Sequence, residues 1–306
     1  MKKLFSLKLI AGLLATTSML SVTEVQAASA TIDKIKSTGT ITMGVRDSSG
    51  ALSYTLGNGV YTGFHVEICK KVIADIQRKF ALPLVATKFQ SVTSQNRIPL
   101  VQNGTVDIEC GSTTNSAARQ RDVAFAVTTF IEEVRIAVKA NSGINSIAQL
   151  ANKKVATTTG TTSVQLLRKH ERANGMNFDE VFGKDHADSF LLLESGRADA
   201  FVMDGSILAG NIANAKNPTD FKIVGEVLSV EPIAIMVRKD DPEFKKVVDD
   251  SIRAMMQDGT VAKMYKQWFL DPIPPKNVKV GLELSQNTKN AWANPTDKPV
   301  EDYAKK

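Results

Sequence analysis

From residue 40 to residue 269 the chain alternates short β-rich runs with stretches of helical spacing, and that alternation admits few folds. Residues 40–46, 82–89, 106–110, 134–139, 154–158, 200–203, 221–224 and 233–238 read as strands. Residues 65–79, 96–102, 241–257 and 261–269 carry apolar side chains at helical spacing. Such alternation predicts an α/β fold with mostly parallel sheets. A chain of 306 residues is large for one core and suits two lobes. A weak internal echo agrees: 103–107 (NGTVD) and 195–199 (SGRAD) each place Gly and then Asp just before an apolar strand, once in each half.

The first residues carry an address rather than a fold. Lys2, Lys3 and Lys8 precede an apolar run from Leu9 to Leu20, and small residues at Val25 and Ala27 occupy the positions a signal peptidase reads. This pattern predicts a cleaved secretory leader over residues 1–27 and an exported, periplasmic protein. The run is short for a membrane-spanning helix, and no cysteine follows it to carry a lipid. At the other end, residues 272–306 are poorly periodic and read as an extended strap over the surface.

Net charge is +6, with no Lys/Arg cluster interleaved with aromatics, which argues against a nucleic-acid partner. No His or Cys spacing supports a metal site, and no cofactor motif is present. Cys69 and Cys110 are the two cysteines. An exported compartment permits a disulfide between them, and two buried free thiols would also fit their apolar surroundings. His65 and His170 read as solvated helix residues without a role.

In open parallel sheets, ligands bind beyond the carboxyl ends of the strands. Here those ends are rich in polar side chains. The first strand ends at Arg46. The next is followed by Ser94 and Arg97, and the third by Ser112 and Thr114, with Arg119 just beyond. In the second half the strand ends are followed by Thr161 and Thr162, by His186 and by Asp204. The helix start at 160–162 offers free backbone N–H groups for a carboxylate, and Arg119 adds a two-pronged contact. Asp204 is the lone anion of the set and suits an ammonium group. That leaves Arg46, Arg97, Ser94 and His186, and two unpaired guanidinium groups in a cleft are costly. A second carboxylate on the ligand would satisfy them, so the set points to an acidic amino acid.

The residues that carry these roles also resemble a known family. Segments 93–100 (TSQNRIPL), 110–115 (CGSTTN), 160–163 (GTTS), 184–190 (KDHADSF), 193–198 (LESGRA), 238–242 (RKDDP) and 272–276 (PIPPK) occur in order along nearly the whole chain past the leader. Together they resemble the periplasmic solute-binding proteins of polar amino-acid ABC transporters, in particular the branch that binds glutamate and aspartate. The resemblance implies a two-lobed periplasmic binding fold of type II, with two hinge strands and a ligand cleft between the lobes. Lobe 1 would comprise residues 28–131 and the returning segment 232–306, and lobe 2 residues 132–231. The crossings are expected near 131–134 and 230–233.

The resemblance also implies roles. Arg119 and Thr162 would grip the α-carboxylate. Asp204, helped by Ser112 and Thr114, would hold the α-ammonium. Arg46, Ser94, Arg97 and His186 would surround the side-chain carboxylate. Leu52 falls where family members often place an aromatic beside the ligand. The expected partners are glutamate or aspartate and a membrane permease, with the protein itself a monomer and not an enzyme. Two rivals on the same fold are a small-carboxylate dehydratase and a ligand sensor. An enzyme would need a positioned acid or base, and the set reads instead as ion-pairing.

Overall fold

The computed structural model describes residues 29–303. The expected leader lies outside them. Helix α1 (Ala30–Thr38) starts at Ser29, whose hydroxyl accepts the Ile32 N–H, and stops at Gly39 in the left-handed conformation, φ 62°. Then follow β1 (Thr40–Val45), a small antiparallel sheet of β2 (Ser48–Ser49), β3 (Ser53–Gly57) and β4 (Val60–Thr62), and helix α2 (Phe64–Lys79). Strand β5 (Ala86–Ser91), α3 (Arg97–Gln102), β6 (Ile108–Glu109) and β7 (Val123–Phe125) complete the first passage through lobe 1.

The chain crosses on β8 (Phe130–Lys139). Lobe 2 continues with β9 (Lys154–Thr158), α4 (Thr162–Asn174), β10 (Asp179–Gly183), α5 (His186–Glu194), β11 (Ala200–Asp204) and α6 (Gly205–Asn214). It returns on β12 (Phe221–Ile233) to β13 (Met236–Arg238), α7 (Pro242–Gln257) and α8 (Thr260–Tyr265). Two late helices, α9 (Gln286–Ala293) and α10 (Val300–Tyr303), follow.

Two five-stranded sheets result, ordered β5-β1-β6-β13-β7 and β10-β9-β11-β8-β12. Both are mixed rather than mostly parallel. Strand β1 runs parallel to β5 and β6, and β9 parallel to β10 and β11. The antiparallel pairs involve β8, β12 and β13, the strands on which the chain crosses over and returns. Strands β8 and β12 pair from Phe130↔Ile233 through Glu132↔Glu231, with a register shift between Val224 and Ser229.

Each lobe has its own apolar core. In lobe 1, α2 buries Val66, Cys69, Val72, Ile73 and Ile76 on one stripe. Full burial of each such aliphatic side chain stabilises by roughly 1.5–3 kcal/mol. The stripe packs on an aromatic cluster in which Tyr265 and Phe130 lie 4.5 and 5.3 Å from Phe269. Cys69 and Cys110 are bridged, tying α2 to the residue after β6. Val155, Val202, Leu150 and Leu167 belong to one of the lobe 2 clusters.

Three expectations need correction. The segment after residue 272 is not simply extended: α9 has its own cap, Ser285 accepting the Thr288 N–H, and docks on β8 through Thr288 Oγ1 to the Ile131 N–H at 3.2 Å. Low periodicity hid it because the helix is short and buries only Thr288 and Ala291. His65 is fully buried, not solvated. Its Nδ1 lies 2.5 Å from the Gly111 carbonyl oxygen and its Nε2 2.9 Å from Thr129 Oγ1. Leu52 is fully buried in the lobe 1 core and is not among the residues that line the cleft. Among the described residues no helix is long and apolar enough to cross a membrane.

Candidate functional site

The lobes face each other across a cavity lined by Ser94, Arg97, Ser112, Thr114 and Arg119 from one side and Thr161, Thr162, His186, Met203 and Asp204 from the other. The tenth expected residue, Arg46, lies directly behind, fully buried and bonded into the lining. Thus the structure gathers all ten residues expected from strand ends into one place.

At one end are the two arginines. Arg46 follows β1 and donates through Nη2 to Ser94 Oγ at 3.0 Å and through Nη1 to Ser112 Oγ at 3.4 Å. Its Nη2 also lies 3.2 Å from His186 Nε2 in the opposite lobe. Arg97 opens α3, is 2 % exposed, and donates to the Ser112 carbonyl at 3.3 Å. Among the described residues no carboxylate oxygen lies within 4.0 Å of either guanidinium, and Nε of both lacks a partner. Burial pulls the pKa of Arg97 well below its usual value, and the positive charges of Arg119 and Arg46 add to that. Burial likewise dominates at His186, helped by Arg46 and Arg97, and holds its pKa well below the ordinary histidine value.

At the other end are carboxylates. Asp204 ends β11 and precedes α6, yet it makes no capping bond, and its Oδ1 is buried without a partner. Burial drives its pKa well above the usual carboxylate range, with Glu132 and Glu231 adding and Arg97 and Arg119 opposing. Asp204 is therefore not a lone anion. Glu132 on β8 and Glu231 on β12 are buried beside it on the crossing strands. Ser206 hydrogen-bonds to Glu132 through its hydroxyl, and its N–H donates at 3.3 Å. Glu231 Oε2 accepts from Thr114 Oγ1 at 2.7 Å and from Thr162 Oγ1 at 2.8 Å. A third buried carboxylate, Glu109, lies instead toward Arg46, both within 3 Å of where a Cβ on Gly111 would stand, and accepts from Thr113 Oγ1 at 2.8 Å. Sequence reasoning missed all three. The signal was a charged residue inside an otherwise apolar strand, as at 130–134 and 230–233.

Between the two ends sit Arg119 and the start of α4. Arg119 donates to the Thr114 carbonyl at 2.9 Å and reaches the Gly160 carbonyl of the opposite lobe at 3.4 Å. Thr161 caps α4 without a side-chain capping bond, and its hydroxyl donates to the Thr158 carbonyl at 2.7 Å. The first N–H groups of a thirteen-residue helix are thereby left for an anion.

Glycines let the lobes meet. A Cβ on Gly160 (φ +82°) would lie 2.9 Å from the Gln95 backbone, and one on Gly210 of α6 2.9 Å from the Gly50 Cα. Both contacts join lobe 2 to lobe 1. Ser48 and Asp185 hydrogen-bond across the same boundary, and Ser48 Oγ accepts the Ala187 N–H at 3.0 Å.

Comparison with known proteins agrees with this architecture. Residues 41–271 match the model of the bacterial extracellular solute-binding proteins, family 3. The chain is 43% identical to the glutamate/aspartate import solute-binding protein of Escherichia coli over 90% of its length and 91% of that protein's. It is 45% identical to the L-glutamate/L-aspartate-binding protein of Pseudomonas aeruginosa over 89% and 90% of the two chains. Among solved structures, a solute receptor for L-cysteine of Neisseria gonorrhoeae superposes with a TM-score of 0.69 at 26% identity, covering 81% of this chain and 99% of that one. The fold, the cleft and these matches together place the chain in the bacterial extracellular solute-binding proteins, family 3.

Proposed function

We propose that this protein is an extracytoplasmic receptor that closes on L-glutamate or L-aspartate and delivers it to an ABC transporter permease. One observation carries the choice of ligand. Arg46 and Arg97 are buried at one end of the cleft with no carboxylate of the described residues within 4.0 Å, while the buried carboxylate Asp204 waits at the other with an oxygen that has no partner among them. A guest with an anionic side chain, an α-carboxylate and an α-ammonium satisfies both ends at once.

In this reading the side-chain carboxylate sits among Arg46, Ser94, Arg97 and His186. The α-carboxylate meets Arg119 and the N–H groups at the start of α4. The ammonium meets Asp204, with Ser112 and Thr114 beside it. Lobe 1 would span 28–131 and 232–306, and lobe 2 132–231, with β8 and β12 as hinge strands. Ligand contacts shared by both lobes are what bias the pair toward the closed form. No step of this function breaks or makes a covalent bond, and the Escherichia coli relative is named as an import solute-binding protein.

Calorimetry on ligand-stripped protein with glutamate, aspartate, glutamine and asparagine tests the reading. Glutamate and aspartate are expected to bind, with the amides weaker by at least tenfold, as for an uncompensated buried charge. Binding of all four with equal affinity would overturn it.

A further inference from the structure

A single carboxylate oxygen on a hinge strand receives a hydroxyl from each lobe. Glu231 Oε2, 3 % exposed, accepts from Thr114 Oγ1 of lobe 1 at 2.7 Å and from Thr162 Oγ1 of lobe 2 at 2.8 Å. A threonine hydroxyl has one proton to donate and two lone pairs with which to accept. Once its proton points at Glu231, the hydroxyl can offer the cleft only lone pairs. Thr114 and Thr162 both line the cavity. Both therefore present acceptors, not donors, to whatever lies between the lobes.

We infer that Glu231 is a specificity-determining positioning residue, which fixes the hydrogen-bond polarity of Thr114 and Thr162 so that the closed cleft selects an amine-bearing ligand over its deaminated analogue. The inference rests on the proposed amino-acid reading and deepens it. Asp204 supplies the charge for the ammonium, and the two oriented hydroxyls supply neutral acceptors for its remaining N–H groups. An ammonium has three donors and no acceptor, so it profits from this arrangement. A ligand with carbon or hydroxyl in that place forfeits it. The α-carboxylate then depends on Arg119 and the α4 N–H groups rather than on the Thr162 hydroxyl. Because the donors come from different lobes, the polarity is fully set only when the lobes are closed.

The test compares L-glutamate with glutarate, which lacks the amino group, by calorimetry on the ligand-stripped full-length mature protein. In the wild type glutamate should bind far more tightly. Glu231→Gln offers an amide N–H in place of a pure acceptor and lets the hydroxyls turn. It should narrow the glutamate-to-glutarate ratio about tenfold or more, the scale of one hydrogen bond to a charged group. Glu231→Asp, which keeps the charge, should restore part of the ratio. Should the Glu231 variants fail to fold, Thr114→Val set against Thr114→Ser replaces them. The valine should lose markedly more glutamate than glutarate affinity, while the serine, which keeps the hydroxyl, should restore most of the glutamate loss. A ratio that stays constant across Glu231→Gln, or equal losses for both ligands in Thr114→Val, overturns the inference while the amino-acid reading stands. A wild type that binds no glutamate overturns both.

Discussion

Arg46 Nη2 of lobe 1 lies 3.2 Å from His186 Nε2 of lobe 2, and this contact fixes the proton on the imidazole. A guanidinium only donates, so Nε2 must accept, and the ring proton sits on Nδ1, 2.9 Å from Thr158 Oγ1. Thr158 in turn lies 2.8 Å from Ser189 Oγ, which reaches the Asp185 carbonyl at 3.0 Å. The chain of bonds is consistent with a neutral histidine, as burial and the two arginines require.

The first prediction follows from that geometry. Nitrogen NMR of labelled imidazole should show His186 as the neutral Nδ1–H tautomer at neutral pH. A charged ring at neutral pH would contradict the assigned polarity of the Arg46 contact.

Closure has its own prediction. Gly210 faces the Gly50 backbone too closely for a Cβ, with no flexible side chain there to yield. Gly210→Val should hold the lobes apart and weaken glutamate about tenfold or more, a loss of at least ~1.4 kcal/mol. Small-angle scattering should show the variant staying extended when ligand is added. Normal compaction would place the closing surface elsewhere.

Much of this was legible in the sequence because it is written at strand ends. Arg46, Thr114 and Asp204 each stand at or past the end of an apolar run, His186 lies three residues beyond β10, and parallel topology carries such positions to one edge. What escaped notice depends on neighbours distant in the chain. His65 looks like any polar helix residue until Gly111 and Thr129 close over it. Glu132 and Glu231 stand opposite each other only through the β8–β12 register. The hairpin β2–β4 was missed because its strands are two to five residues long.

His65 sets a pH limit on stability. Burial lowers its pKa to about 4, against the bond to Gly111, which raises it. The unfolded chain takes up a proton near 6.5, and the native state does not until about 4. Stability therefore falls as pH drops through this window, by about 3 kcal/mol in total. Urea titrations from pH 7 to 4 should show this slope, and His65→Gln should reduce it. An unchanged slope would assign the acid sensitivity to other groups.

Glu132 acts in the opposite sense. Burial raises its pKa to about 7, with the Ser206 hydrogen bonds lowering it and Glu231 adding to the rise. Here the native state holds the proton longer than the unfolded chain, so this group's support is complete below about 4.5 and lost as pH rises to about 7. Glu132→Gln should match the wild type at pH 4 and exceed its stability at pH 8 by up to about 3 kcal/mol. A variant destabilised equally at both pH values would show that the carboxylate is needed in its charged form.

The most direct measurement compares Arg97→Ala with the wild type by calorimetry, using glutamate and glutamine side by side. If Arg97 meets the ligand's side-chain carboxylate, glutamate should lose roughly 2–4 kcal/mol, as when one member of a buried charge pair is truncated. Glutamine should lose much less, so the preference for the acid should shrink. Equal losses for the two ligands would contradict the assignment of that end of the cleft to a second negative charge.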